Sequence, residues 1–239
     1  MSNNGVDVLA IAAHRDDVEI TCGGTLIKMV DAGRRVGILD LTEGEMGTLG
    51  NAAERARDAA EAAEIMGVAY RENLGLPDAG VEVTRENKLK VAAVIRQVRP
   101  ELVILPFWQQ RHPDHIYTMH LGYDACYLSG LKKLDLDGEA FRPRKIIYAS
   151  SFRDVRHSFY IDISAQMDRK LKAVRAYRSQ FDGSPESWQI FKPGVGIFEY
   201  MAVTARHYGH MVGVDYAEAF CIRENILIDD PQTMPVRSI

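Results

Sequence analysis

Residues 6–42 read VDVLAIAAHRDDVEITCGGTLIKMVDAGRRVGILDLT. The run VDVLAIAA (6–13) is short and apolar and stops at His14, and RVGILDLT (35–42) is a second such run. Both have the length and β-rich composition of buried strands. Between them, VEITCGGTLIKMVDAG (18–33) mixes turn glycines with apolar positions at helical spacing, and Gly33 suits a C-terminal cap. Strand, helix and strand in this order predict a β-α-β unit, whose two strands lie parallel.

The alternation continues outward. NAAERARDAAEAAEIMG (51–67) is rich in strong helix formers and closes on a glycine, and VAYRENL (68–74) holds the next strand. Thr84 can cap a helix over RENKLKVAAVIRQVR, Pro100 stops it, and ELVILPF (101–107) is another continuous apolar strand. Further on, RKIIYAS (144–150) and FYIDIS (159–164) read as strands, and residues 165–180 read as one helix with Ser164 as its cap. A C-terminal helix and short strands complete the chain, and DGSPES (182–187) reads as a loop. The expectation is an α/β, Rossmann-like fold: a mostly parallel sheet with helices on both faces, forming one domain over 1–239.

Bulk composition narrows the function classes. The chain has 239 residues, 46% of them hydrophobic, enough for a full core. Its net charge of -4 comes without any Lys/Arg-rich run, which argues against nucleic acid as a partner. The start MSNNGVDVLA lacks a charged and then apolar leader, and no apolar run could span a bilayer, so no membrane partner is expected and the expected location is cytoplasmic. Cys22, Cys126 and Cys221 form no C-x-x-C pair, so neither a disulfide framework nor a Cys-rich zinc site is indicated.

In open parallel sheets, ligands bind beyond the carboxyl ends of the strands. Three segments fall there: HRDD (14–17), EGEMGTLG (43–50) and WQQRHPDH (108–115). His14 and Asp17 are three apart at a strand-to-helix turn, where one helical turn can bring an imidazole and a carboxylate to the same side. His115 can complete a His-Asp-His metal set that leaves positions open for water and substrate. The structural alternative has Asp17 capping the helix and His14 as an ordinary strand-end residue. HPDH packs two histidines and an acid around a rigid proline, a density that a structural role explains poorly.

These residues resemble a known family. AHRDDVEITCGGTL (13–26) is similar to the A-H-P-D-D-x-E-x-x-x-G-G-T-L signature of the PIG-L/LmbE-like zinc N-deacetylases, and RHPDH (111–115) to their second signature. Segments 53–67, 161–181 and GVDYAEAF (213–220) are similar to the branch that deacetylates N-acetylglucosaminyl malate in bacillithiol synthesis. The resemblance implies His14, Asp17 and His115 as ligands of zinc, with Fe(II) or another divalent ion as alternatives. It implies Asp16 as general base, His112 as oxyanion stabiliser oriented by Asp114, and Arg55 as a substrate-binding residue. It also implies a small N-acetylated amino-sugar substrate and a homo-oligomer such as a trimer or hexamer. The chemistry agrees: zinc polarises an amide carbonyl and lowers the pKa of bound water to about 7, and an adjacent carboxylate can take the proton.

Several residues keep two readings. His112 could merely brace its loop, and Arg55 could be a solvated charge within ERARDAAE. Arg111 and Arg15 could also meet an anionic substrate. Arg15 stands where the family has proline, which would put a cation near the site mouth. Glu19 supports a ligand or is a first-turn acid favoured by the helix dipole. Two rival functions remain: a non-haem Fe(II) oxygenase, whose triad has the same ligand types, and a non-catalytic nucleotide-binding module. Against the first stands Asp16, which has no role in oxygen activation; against the second, the missing G-x-G-x-x-G after the first strand.

Overall fold

Successive residues of a strand point to opposite faces, so a strand that is apolar at every position must be covered on both sides. The computed structural model describes residues 5–150, 155–181 and 196–236, and it has this arrangement. In chain order the elements are β1 (Val8–Ala12), α1 (Asp17–Asp31), β2 (Val36–Thr42), α2 (Ala52–Met66), β3 (Tyr70–Leu76), α3 (Arg85–Val98), β4 (Leu102–Pro106) and α4 (Pro113–Leu128). There follow β5 (Lys145–Ala149), β6 (Phe159–Asp162), α5 (Met167–Arg175), α6 (Arg178–Phe181), α7 (Ile197–Val212) and β7 (Ala217–Cys221). Among the described residues the strands form one sheet in the order β3-β2-β1-β4-β5-β7-β6. Strands β1 to β5 are parallel, and β7 runs antiparallel to both of its neighbours.

The two faces separate cleanly. Leu9, Ile11, Leu39, Leu41, Val103 and Leu105 join one buried cluster with α3 and α4 residues such as Val91, Ile95 and Met119. Val8, Ala10, Ala12, Val36, Ile38 and Ile104 join the other, with Leu26 of α1, Ala62 of α2 and Ala173 of α5. The central pair is β1 and β4, where the strand order turns from one direction to the other. This places the loops after β1 and β4 side by side at the carboxyl edge, the usual position of a ligand crevice.

Local signals account for the helix ends. Asn51 and Glu54 form a reciprocal capping box at the start of α2, and Gly67 ends it at φ 77°. Thr84 caps α3 by accepting from Asn87 N at 3.2 Å. The single helix expected over 165–180 is instead a 3-10 turn at Ser164–Gln166, then α5, then the one-turn α6. Arg178 N donates to Ala176 O at 2.8 Å, a turn that interrupts the helix, and it leaves Tyr177 buried. Ser164 is not the cap, since its hydroxyl donates to Asp162 Oδ1 at 2.6 Å. The segment DGSPES lies outside the described residues.

Helix α1 is kinked at Cys22 (φ -141°), which frees backbone N–H groups in its middle. Gly24 N and Thr25 N donate instead to the two carboxylate oxygens of Glu218 on β7, at 2.9 and 2.7 Å. Lys170 of α5 completes this buried cluster, donating to Glu218 Oε1 at 2.6 Å. A methyl on Gly24 would lie 2.7 Å from Ile163 Cδ1 and 3.0 Å from Glu218 Oε1, whereas one on Gly23 would meet nothing nearer than 3.6 Å. Gly24→Ala is therefore expected to destabilise by about 1–3 kcal/mol through overpacking. Gly23→Ala should be neutral or mildly stabilising, since Ala favours helix. Urea unfolding of the two variants checks this, and equal midpoints would contradict the close approach at Gly24.

Candidate active site

The turn after β1 is held from below by buried polar groups. Arg71 on β3 donates to Asp40 Oδ2 at 2.8 Å and to Glu19 Oε1 at 2.7 Å, and also to the Arg15 carbonyl. The single Tyr177 hydroxyl hydrogen is shared between Glu19 Oε1, at 2.8 Å, and the same carbonyl. Glu19 is thus a wholly buried anchor of the turn, and burial pushes its pKa up to about 6 against the pull of Arg71. Arg15 does not stand at the site mouth as expected. It is buried, its Nη1 donating to the Ala52 carbonyl at 2.7 Å and its Nη2 to Glu43 at 3.4 Å. Without proline's missing N–H and fixed ring, the long side chain folds under the loop and braces the start of α2.

Neither acid of the turn caps α1. Asp16 occupies the N-cap position without a side-chain cap bond, and Asp17 Oδ2 accepts from His14 N at 2.8 Å. His14 Nδ1 lies 3.2 Å from Asp17 Oδ2, and His115 Nε2 lies 3.2 Å from Asp17 Oδ1 and 3.3 Å from His14 Nδ1. Two donors on a tetrahedral zinc with bonds of about 2.0–2.1 Å stand about 3.3–3.4 Å apart, and the 3.3 Å between the two ring nitrogens matches that spacing, with the Asp17 carboxylate turning one oxygen to each ring. Burial opposes ionisation of Asp17, yet the His115 and His14 rings hold its carboxyl well below the usual range. Burial opposes a charge on His14 also, but Asp17, with the nearby Asp114 and Asp78 carboxylates, pushes its pKa up to about 12. So much carboxylate around one imidazole calls for a cation, and a divalent ion at the triangle would supply it.

The second loop delivers His115 through a short local device. Pro113 opens α4 at a position that tolerates a missing N–H, and His112 is the N-cap, its Nδ1 accepting from Asp114 N at 3.2 Å. Asp114 therefore meets His112 through its backbone. Its carboxylate is taken by Ala79 N at 2.8 Å and Val81 N at 3.3 Å, and lies 3.7 Å from His14 Nε2. Burial, then His14 and His115, lower the His112 pKa, which keeps this ring neutral. His112 and Asp114 form a second possible donor set with His14, in which both Asp114 oxygens already accept from backbone N–H groups.

A cleft of about 660 Å³ opens over these groups, and Arg55, Arg111, Phe181, Ile197 and Tyr200 are among its lining residues. That volume suits a ligand of one or two sugar rings. Asp16 lines the cleft, and its pKa is raised by burial and by the adjacent Asp17 against the pull of Arg55. Arg55 is no solvated helix-face charge: it is 5% exposed. Its guanidinium lies against Gly44 (φ 73°) and Gly47, where any Cβ would collide with it. Those glycines of EGEMGTLG let the loop close over the arginine.

The amino-terminal half, residues 9–126, matches the family model described as PIG-L, GlcNAc-PI de-N-acetylase. Over 229 residues the chain is 34% identical to the diacetylchitobiose deacetylase of Thermococcus kodakarensis, covering 90% of this chain and 82% of that protein. The chain belongs to the PIG-L deacetylase family. It is also 27% identical to a 1D-myo-inositol 2-acetamido-2-deoxy-alpha-D-glucopyranoside deacetylase of Saccharomonospora viridis, over 77% of this chain and 88% of that one. Among solved structures, a conserved protein from Thermus thermophilus superposes with a TM-score of 0.85 at 40% identity, covering 93% of this chain and 97% of its own.

In this PIG-L family chain the structure brings His14, Asp16, Asp17, Arg55, His112 and His115 to one cleft, with Asp114 beneath it. Two neighbours escaped the sequence reading. Asp78 Oδ1 lies 3.1 Å from His14 Nε2, and its other oxygen accepts from Met46 N at 2.9 Å, which fixes the ring and ties the 43–50 loop to it. Asp78 follows β3 in LPDAG, a fourth carboxyl-edge loop to which the strand-end rule applied equally. The other is Gln180, which reaches the cleft from α6. No helix of the described residues is long and apolar enough to cross a membrane.

Proposed function

We propose that this protein is a zinc-dependent N-deacetylase that hydrolyses the acetamido group of an N-acetylglucosamine-type substrate. The observation that carries this reading is the cluster of His14, Asp17 and His115, whose ring nitrogens lie 3.3 Å from each other and each 3.2 Å from an Asp17 oxygen, with a second acid, Asp16, directly beside it. A divalent ion held there would polarise the amide carbonyl and lower the pKa of water to about 7. Asp16 takes the proton from the attacking water and returns it to the nitrogen as the C–N bond breaks, releasing acetate and the free amine. His112 donates a ring N–H to the oxygen that becomes negative in the tetrahedral intermediate. Asp78 and Asp114 hold His14 from behind, which fixes the ring's orientation.

The adjacent acid favours hydrolysis over oxygen activation, and the relatives' substrates favour an amino sugar. For the group attached to that sugar, Arg55 and Arg111 on the cleft wall support an anionic one such as malate. Homo-oligomerisation and a cytoplasmic location belong to the same reading. Acetate release from N-acetylglucosamine, its malate conjugate, diacetylchitobiose and the inositol conjugate, with and without added zinc, tests the whole. Asp16→Asn should retain zinc and lose about 10²–10⁴-fold in turnover, because the amide cannot accept a proton. Normal turnover in that variant, or no acetate from any of the four substrates, would sink the proposal.

A further inference from the structure

The stretch AYRSQF (176–181) takes no part in the reaction as derived above, yet its residues are tied one after another to the site's framework. Tyr177 grips Glu19, Arg178 pairs with Glu61 of α2 at 2.5 Å, and Ser179 donates to Asp58 of α2 from its N at 3.1 Å and its hydroxyl at 2.5 Å. These bonds clamp α6 onto α2 and present the next residue, Gln180, to the cleft between Asp16 and Arg55. A carboxamide has a donor end and an acceptor end. With its nitrogen toward the acid, Gln180 donates to Asp16 Oδ2 at 2.7 Å, and its oxygen accepts from Arg55 Nη2 at 2.6 Å and Nη1 at 3.2 Å. The reverse orientation sets oxygen against carboxylate and NH₂ against guanidinium, so it is excluded on charge.

We propose that Gln180 is a positioning residue for the deacetylation, a neutral spacer that holds Asp16 by one oxygen and keeps it apart from Arg55. This inference rests on the assignment of Asp16 as the base. A carboxylate next to a guanidinium collapses into a bidentate pair that occupies both of its oxygens. The amide satisfies both charges without letting them meet, and it leaves Asp16 Oδ1 for the proton of water. It also removes the torsional freedom of an aspartate that no helix cap holds.

Gln180→Met keeps length and bulk but neither hydrogen bond. Its kcat on an N-acetylglucosamine-type substrate should fall about ten- to a hundredfold, the scale of a lost hydrogen bond to a charged group. Zinc content should be unchanged and KM should move by less than about twofold. In an Asp16→Asn background the same substitution should cost nothing further, because it acts through that carboxylate. Gln180→Asn, one methylene too short to bridge, should show the same kcat deficit if the methionine variant folds poorly. A native kcat in either variant, or an equal loss with and without Asp16, overturns the positioning role. Full turnover of Asp16→Asn alone would overturn the base assignment and this inference together, whereas an impaired Asp16→Asn beside an unimpaired Gln180→Met overturns this inference only.

Discussion

His115→Ala is expected to lose bound zinc and to lower turnover on the order of 10⁴-fold or more, since water's pKa returns from about 7 toward 15.7 when the ion is gone. Only three protein groups form the proposed site, and His115 Nε2 is the one supplied by α4, 3.3 Å from His14 Nδ1 and 3.2 Å from Asp17. Removing it leaves two donors from a single turn, too few to hold zinc against dialysis. His120, exposed on the same helix, is the control: His120→Ala should keep both metal and activity. Metal analysis after dialysis and an acetate-release assay check the pair. Stoichiometric zinc with normal turnover in His115→Ala would end the ligand assignment.

The largest expected loss of stability lies outside the cleft lining, at Glu218. This carboxylate is 3% exposed and accepts from Gly24 N, Thr25 N and Lys170 Nζ. Glu218→Ala leaves a buried ammonium without its partner and two helix N–H groups without acceptors, a cost of about 3–5 kcal/mol. For a chain of this size that lowers Tm by about 10 °C or more. Lys170→Met should cost less, because the carboxylate keeps its two backbone donors and methionine fills the space of the aliphatic stem. Thermal unfolding with chelator present in every sample separates this from metal linkage. A Glu218→Ala loss below about 1 kcal/mol, or one smaller than that of Lys170→Met, would show that the cluster does not brace the α1 kink.

What could be read from residues alone was whatever depends on near neighbours. The all-apolar runs of β1, β2 and β4 announce strands buried on both faces, Thr84 announces a helix start, and the two histidine-bearing turns announce each other by their place at strand ends. Features set by distant partners were not legible. The antiparallel β7, wedged between β5 and β6, follows from pairing between segments some 60 residues apart, which no local pattern encodes. Arg15 was misplaced because its acceptor, the Ala52 carbonyl, is 37 residues away. Gln180 looked like any polar residue of a helix, since the anchors that aim it, Glu19, Asp58 and Glu61, lie on other elements. Nor does the residue pair show which atom of Asp114 meets His112: it is the backbone amide, at the start of α4.

That last detail makes a folding event choose a chemical isomer. A neutral imidazole carries its single hydrogen on one nitrogen or the other, and the two forms are nearly degenerate in water. At His112 the start of α4 spends the Nδ1 lone pair on the Asp114 amide, so the ring hydrogen is confined to Nε2. Helix initiation, worth about 1 kcal/mol through the cap, thereby selects the donor form before any substrate arrives. A residue that capped the helix equally well, such as serine, would preserve the fold and discard that selection.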